Sequence, residues 1–173
     1  MVTLLSLTIS KLLEFNCSAN RKAMILVQVT GTLRNLANVD YCHPQLAQGT
    51  IGKLCDIFFD PQFSQGKELS LNIARLLSKV SLDYRCAERI VKSGHIKDYL
   101  HSMVQHKDSS AILIRLAYIL GNLTTNFEEA RQKLCLTPTN EKSSFVIITE
   151  LAMHYLQKDS KAQEAAGETP AEE

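Results

Sequence analysis

The chain has 173 residues, 45% apolar and 21% charged, with a formal net charge of +1. That is enough chain for one domain with a sizeable core, of ordinary globular composition, and the near-neutral balance argues against a nucleic-acid binder. The charge is uneven: residues 158–173 hold two lysines and five acids, net −3, which leaves residues 1–157 at +4.

Glycines and prolines number seven and four, and no alternating β-branched run stands out, so the chain reads as all-α. Leu4 to Phe15 forms an apolar helix; it lacks a charged leader and Lys11 interrupts it, so a signal peptide is not expected. Val29, Leu33 and Leu36 share a helix face. The turn Asn38-Val-Asp-Tyr and Pro44 break the pattern, and Gly49 precedes a helix from Ile51 that ends at Asp60-Pro61. After Gly66, Leu69, Ile73, Leu76, Leu77 and Val80 fall at i, i+4, i+7, i+8 and i+11, one apolar face. Three further helices follow: Asp83 to Ser93, Ile96 to His106 beyond the turn at Gly94, and Ser110 to Thr125 with Leu113, Leu116, Leu120 and Leu123. A segment opening at Asn126 is closed by Pro138. Phe145 to Gln157 reads as a partial repeat. Residues 158–173 lack an apolar stripe and are expected to be a disordered acidic tail, leaving 1–157 as the folded solenoid segment.

Repetition is the informative feature. Thr32-Leu-Arg-Asn-Leu-Ala37, Ile73-Ala-Arg-Leu-Leu-Ser78 and Ile119-Leu-Gly-Asn-Leu-Thr124 align so that Leu36, Leu77 and Leu123 coincide, at offsets of 41 and 46. Gly49-Thr-Ile51 and Gly94-His-Ile96 repeat independently, 45 residues apart. A period near 40–47 suits stacked helical units of the armadillo or HEAT kind, none of which buries its apolar face alone.

Gly31-Thr-Leu-Arg-Asn-Leu-Ala37, and Leu120-Gly-Asn-Leu-Thr124 followed by Asn126-Phe-Glu-Glu-Ala-Arg131, resemble the third-helix end and next-unit start of armadillo repeats. Glu68-Leu-Ser-Leu-Asn-Ile-Ala-Arg75, Leu77-Ser-Lys79 and Tyr118-Ile-Leu-Gly-Asn-Leu-Thr124 resemble one longer member of that family, and the likeness runs from about Ala23 to Cys135. That member is associated with axoneme assembly in cilia and sperm flagella, as an adaptor for delivery of radial-spoke components. The resemblance implies a right-handed α-solenoid of about three armadillo-type units, some incomplete, and a fragment or short isoform of a longer stack. It implies a non-catalytic cytoplasmic or ciliary scaffold without cofactor, whose partners are axonemal or transport proteins. A general cytoplasmic scaffold of another pathway, and a truncated form without stable function, stay open. The chain is expected to be monomeric or weakly self-associating through exposed ends.

Members of the family hold extended peptides along a concave groove of third helices, where an Asn in each repeat bonds the peptide backbone through its donor and acceptor. The resemblance puts that role on Asn35 and Asn122, with Leu76 standing in the middle unit. Residues one or two turns away share the face: Asn38, then Asn72 and Lys79, then Tyr118 and Arg115. Arg34, Arg75, Lys79 and Arg115 suit a partner of acidic character. The chain has no Trp, and only Tyr118 offers an aromatic four residues before the Asn, which disfavours lysine-rich nuclear-localisation peptides. In the alternative reading the asparagines brace the following turn and the arginines are a solvated face.

Catalytic and metal readings are poorer. His95, His101 and His106 are spaced by six and five, off one helix face, and HExxH is absent. Cys42-His43 are sequence neighbours on a loop, a poor nucleophile–base geometry. Phosphate-binding glycine motifs are missing. The five cysteines (Cys17, Cys42, Cys55, Cys86, Cys135) are odd in number and without CxxC spacing, so free, mostly buried thiols are expected. No apolar run approaches a membrane span.

Overall fold

A computed structural model describes residues 1–63, 66–135 and 143–167. The described residues form helices joined by short turns, with no strand among them. In order they are α1 (Val2–Glu14), α2 (Ala19–Leu36), a 3-10 turn (Asp40–Cys42), α3 (His43–Gly49), α4 (Ile51–Phe59), α5 (Lys67–Val80), α6 (Tyr84–Lys92), α7 (Ile96–Gln105), α8 (Ser110–Asn126), α9 (Glu128–Cys135) and α10 (Ser144–Gly167). The chain divides into two compact units, Met1–Leu134 and Cys135–Glu173.

In the first unit the apolar stripes dictate the packing. Leu69, Ile73, Leu76, Leu77 and Val80 of α5 are all buried, as are Leu33 of α2 and Leu116, Ile119 and Leu123 of α8. With α5 buried on so wide a face, it takes α2 on one side and α8 on the other. The shorter helices repeat the same step: α3 packs on α6, α4 on α5 and α6, and α7 on α8, while α1 lies against α2 and α3. The result is two complete helix triplets, α3–α4–α5 and α6–α7–α8, preceded by the pair α1–α2 and followed by α9. Each triplet covers its neighbour's apolar face, as the period of the sequence requires.

The turns follow local chemistry. Asp83 caps α6, accepting from the amides of Arg85 at 3.0 Å and Cys86 at 3.2 Å, which meets two of the unpaired N–H groups of the first turn. Gly94 has φ +87°, a left-handed conformation that costs glycine little. Its counterpart Gly49 is different: it ends α3, and the buried Thr50 carries an αR backbone straight into α4. The Gly49 carbonyl accepts from Ser6 Oγ at 3.0 Å, tying α1 to α3.

In the second unit α10 covers Phe145 to Gln157, the stretch read as a partial repeat, and continues to Gly167. Residues 158–167 lie within this helix. Their run of Ala, Glu, Gln and Lys has high helix propensity, which extends a helix begun by apolar residues without needing a stripe of its own. Residues 168–173, and the break expected at Pro138, lie outside the described residues.

Candidate functional site: the third-helix groove

The ends of α2, α5 and α8 border an open groove of about 580 Å³. From α2 and the turn after it come Arg34, Asn35 and Asn38; from α5, Arg75, Ser78 and Lys79; from α8, Arg115, Tyr118 and Asn122. Leu82, in the turn after α5, completes the wall. Stacking at a fixed register explains the convergence. Arg34 and Arg75 occupy one register position, held by Gly121 in α8, and Arg115 restores the cation from lower on that helix.

Eight residues expected from the sequence are thus brought together: Arg34, Asn35, Asn38, Arg75, Lys79, Arg115, Tyr118 and Asn122. Asn72 is not among them. It is 6% exposed and works between helices, accepting from Arg34 Nη1 at 2.7 Å and donating to the Val27 carbonyl at 3.4 Å. Its α2 neighbour at the same register position is Gly31, and a Cβ there would lie in ordinary contact with the Asn72 amide, at 3.7 Å. Two lining residues escaped the sequence reading. Ser78 lies one turn from Arg75, a spacing that could have found it; Leu82 lies beyond the helix, where no periodicity reaches.

Polar bonds tie the third helices together at the groove. Lys79 Nζ donates to Asn38 Oδ1, and Asn122 Nδ2 donates to Ser81 Oγ at 2.8 Å. Asn122 therefore braces the preceding helix, 41 residues away, rather than its own following turn. Asn35 is exposed and receives a 3.5 Å contact from Arg34 Nη2.

The electrostatics are one-sided. Arg34, Arg75, Lys79 and Arg115 line the groove, no carboxylate does, and none of the four forms an ion pair among the described residues. Elsewhere several cations find acids: Arg85 on Asp83 at 2.8 Å, Lys92 on Glu88 at 2.8 Å, Arg131 on Glu128 at 2.6 Å.

The other chemistry-bearing residues are engaged structurally. His95 lies between Asp98 (Nδ1 to Oδ2, 2.7 Å) and Asp56 (Nε2 to Oδ1, 3.2 Å) and stacks on Phe59. It borders a cavity of about 910 Å³ with His101 and His106, and partial burial lowers the His106 pKa. Among the described residues no group of three or more His, Cys, Asp or Glu side chains is placed to hold a metal ion. His43 is buried against the Ala37 carbonyl at 3.0 Å. Burial pushes the thiols of Cys55 and Cys86 up to about 11 and about 12. Cys135, in contrast to the general expectation for these cysteines, is exposed, and Cys17 and Cys42 are half-buried. No described helix is long and apolar enough to cross a membrane.

Helix triplets stacked through successive third helices define an α-solenoid of the armadillo type. The comparison with known proteins points the same way. Over 151 residues the chain is 29% identical to armadillo repeat-containing protein 2 of Mus musculus, covering 86% of this chain and 17% of that protein. It is 27% identical to the Homo sapiens protein of that name and 26% to that of Bos taurus, covering 83% of this chain and 16% of each. The chain spans about a sixth of the length of these curated relatives. No protein-family model and no solved structure matches it.

Proposed function

We propose that this chain is a non-catalytic interaction scaffold that holds an extended segment of a partner protein in the third-helix groove. One observation carries the reading: three consecutive third helices converge on one open groove whose four cations have no carboxylate partner among the described residues. Like charges gathered this way repel one another, and a partner of acidic character removes that repulsion. Asn35 and Asn122 add amides that offer both donor and acceptor to a peptide backbone. The similarity to proteins named for armadillo repeats supports an interaction role. Our reading further puts its partners among axonemal and transport proteins, with the chain in the cytoplasm, cilium or flagellum as an adaptor in delivery of radial-spoke components. That part rests on the resemblance of the segments Glu68–Arg75 and Tyr118–Thr124.

The test is capture of partners from ciliated-cell extract by the full chain and by Asn35→Ala/Asn122→Ala. Loss of partners with unchanged helical content is expected. Because Asn122→Ala also breaks the bond to Ser81, Ser81→Ala serves as control: it removes that bond and keeps the amide, and capture should survive it. Unchanged capture by the double variant overturns the groove. A partner set without axonemal or transport proteins overturns the axonemal part alone.

A further inference from the structure

The three rungs of the groove differ, and the difference specifies its occupant. The α2 rung offers two exposed amides, Asn35 and Asn38, and one cation, Arg34, already bonded to Asn72 and Asn35. The α5 rung offers two exposed cations, Arg75 and Lys79, the second bonded to Asn38 Oδ1, and no amide, because Leu76 stands at the Asn position and is fully buried. The α8 rung offers one amide, Asn122, one cation, Arg115, and the exposed ring of Tyr118 beside Leu82. Backbone-binding groups thus flank a middle that carries charge alone.

The geometry points to an extended partner segment whose acidic residues are concentrated at its centre, over α5, with its backbone gripped at both ends. This rests on the groove reading above and adds polarity and length to it. Packed helices lie roughly 8–10 Å apart, so α2 to α8 is a span of about 16–20 Å. An extended chain advances about 3.3 Å per residue, so the gripped positions are roughly five or six residues apart. Acids placed between them face Arg75 and Lys79, with Arg115 within reach from α8. Acids outside that window face amides and the Tyr118–Leu82 surface, where they gain no ion pair. An apolar residue next to the acidic centre on the α8 side finds that Tyr118–Leu82 surface instead.

Three labelled 12-residue peptides in a Gly/Ser background test this by fluorescence anisotropy with the full chain: four glutamates at the centre, the same glutamates split between the two ends, and four central lysines. The expected result is that the central-glutamate peptide binds at least about tenfold more tightly than either other peptide. Arg75→Glu/Arg115→Glu should abolish that preference with an unchanged far-UV spectrum, since neither arginine has an ion-pair partner to lose. Equal binding of the end-placed isomer, or tighter binding of the lysine peptide, overturns the inference; if that binding still responds to Asn35→Ala, the groove reading stands. No measurable binding of the central-glutamate peptide overturns it as well. Binding of every peptide that ignores all groove substitutions overturns both. A single-stranded oligonucleotide binding more tightly than any peptide, with steep salt dependence, replaces the acidic segment by a nucleic acid.

Discussion

The groove and the short-helix layer of the same unit handle charge in opposite ways. On α6, α7 and α9, several charges come in local pairs: Asp83 with Arg85, Glu88 with Lys92, His95 with Asp98, Glu128 with Arg131. These four lie within four residues of each other, so the chain satisfies them without help from outside. In the groove, Arg34, Arg75, Lys79 and Arg115 are drawn together by stacking, and none meets an acid among the described residues. Paired surface charges serve the fold and its solubility, and each contributes little. Arg34 and Lys79 bond to Asn72 and Asn38, but the mutual repulsion of four like charges works against the fold, so the explanation of the cluster has to be sought in what approaches it.

Five substitutions break or sharpen this contrast. The largest effect belongs to Asn72→Ala, under the groove floor. It strips Arg34 of its 2.7 Å acceptor and Val27 of a donor in a part-buried site, and a hydrogen bond to a charged group contributes about 1.5–3 kcal/mol. Chemical denaturation should show it as a lower midpoint with an unchanged slope. An unchanged midpoint would mean that the α2–α5 contact is apolar alone.

Next comes Asp83, the cap of α6. Asp83→Ala should cost about 1–2 kcal/mol, the usual loss for a helix N-cap. The hydrogen bond from Arg85 holds this carboxyl down at about 2 from an ordinary 3.8. A group depressed in the folded state stabilises above its unfolded value and loses that contribution as pH falls through the folded one. The Asp83 contribution should therefore be full above about pH 4 and gone near pH 2. Asp83→Asn keeps the cap and should flatten the pH dependence of the melting temperature across that window; an equally steep profile would mean that other carboxylates set it.

The smallest effect is the most diagnostic. Arg75→Ala should leave stability within about 0.5 kcal/mol, like most surface changes, and any shift should be upward, because a like charge has been removed. Lys92→Ala breaks the pair with Glu88 and should not raise the melting temperature. A clear loss of stability in Arg75→Ala would give that arginine a structural role and dissolve the contrast.

Most of the stack was legible in the sequence because helical periodicity and the offsets of 41 and 46 residues are carried by apolar residues whose burial is their sole role. Leu69, Ile73 and Leu77 could hardly do anything else. Eight groove residues were legible for the same reason: register transfers a position from one third helix to the next. Asn72 shows where this fails. It shares the register position of the exposed Tyr118, yet faces a glycine on α2, and what a neighbouring helix leaves open is not written in a residue's own spacing. The Asn122–Ser81 bond was hidden likewise, since it joins residues a whole unit apart.

The bonds from Arg34 to Asn72, from Lys79 to Asn38 and from Asn122 to Ser81 each cross from one third helix to the next. In a one-dimensional array, stability divides into terms within units and terms between nearest neighbours. These bonds belong to the second kind, and they lie on the surface a partner would touch. A segment gripped at both α2 and α8 adds a next-nearest-neighbour term that the isolated array lacks. Occupancy of the groove would then appear as sharper cooperativity of unfolding as well as a higher midpoint, because it couples units that otherwise touch only their nearest neighbours.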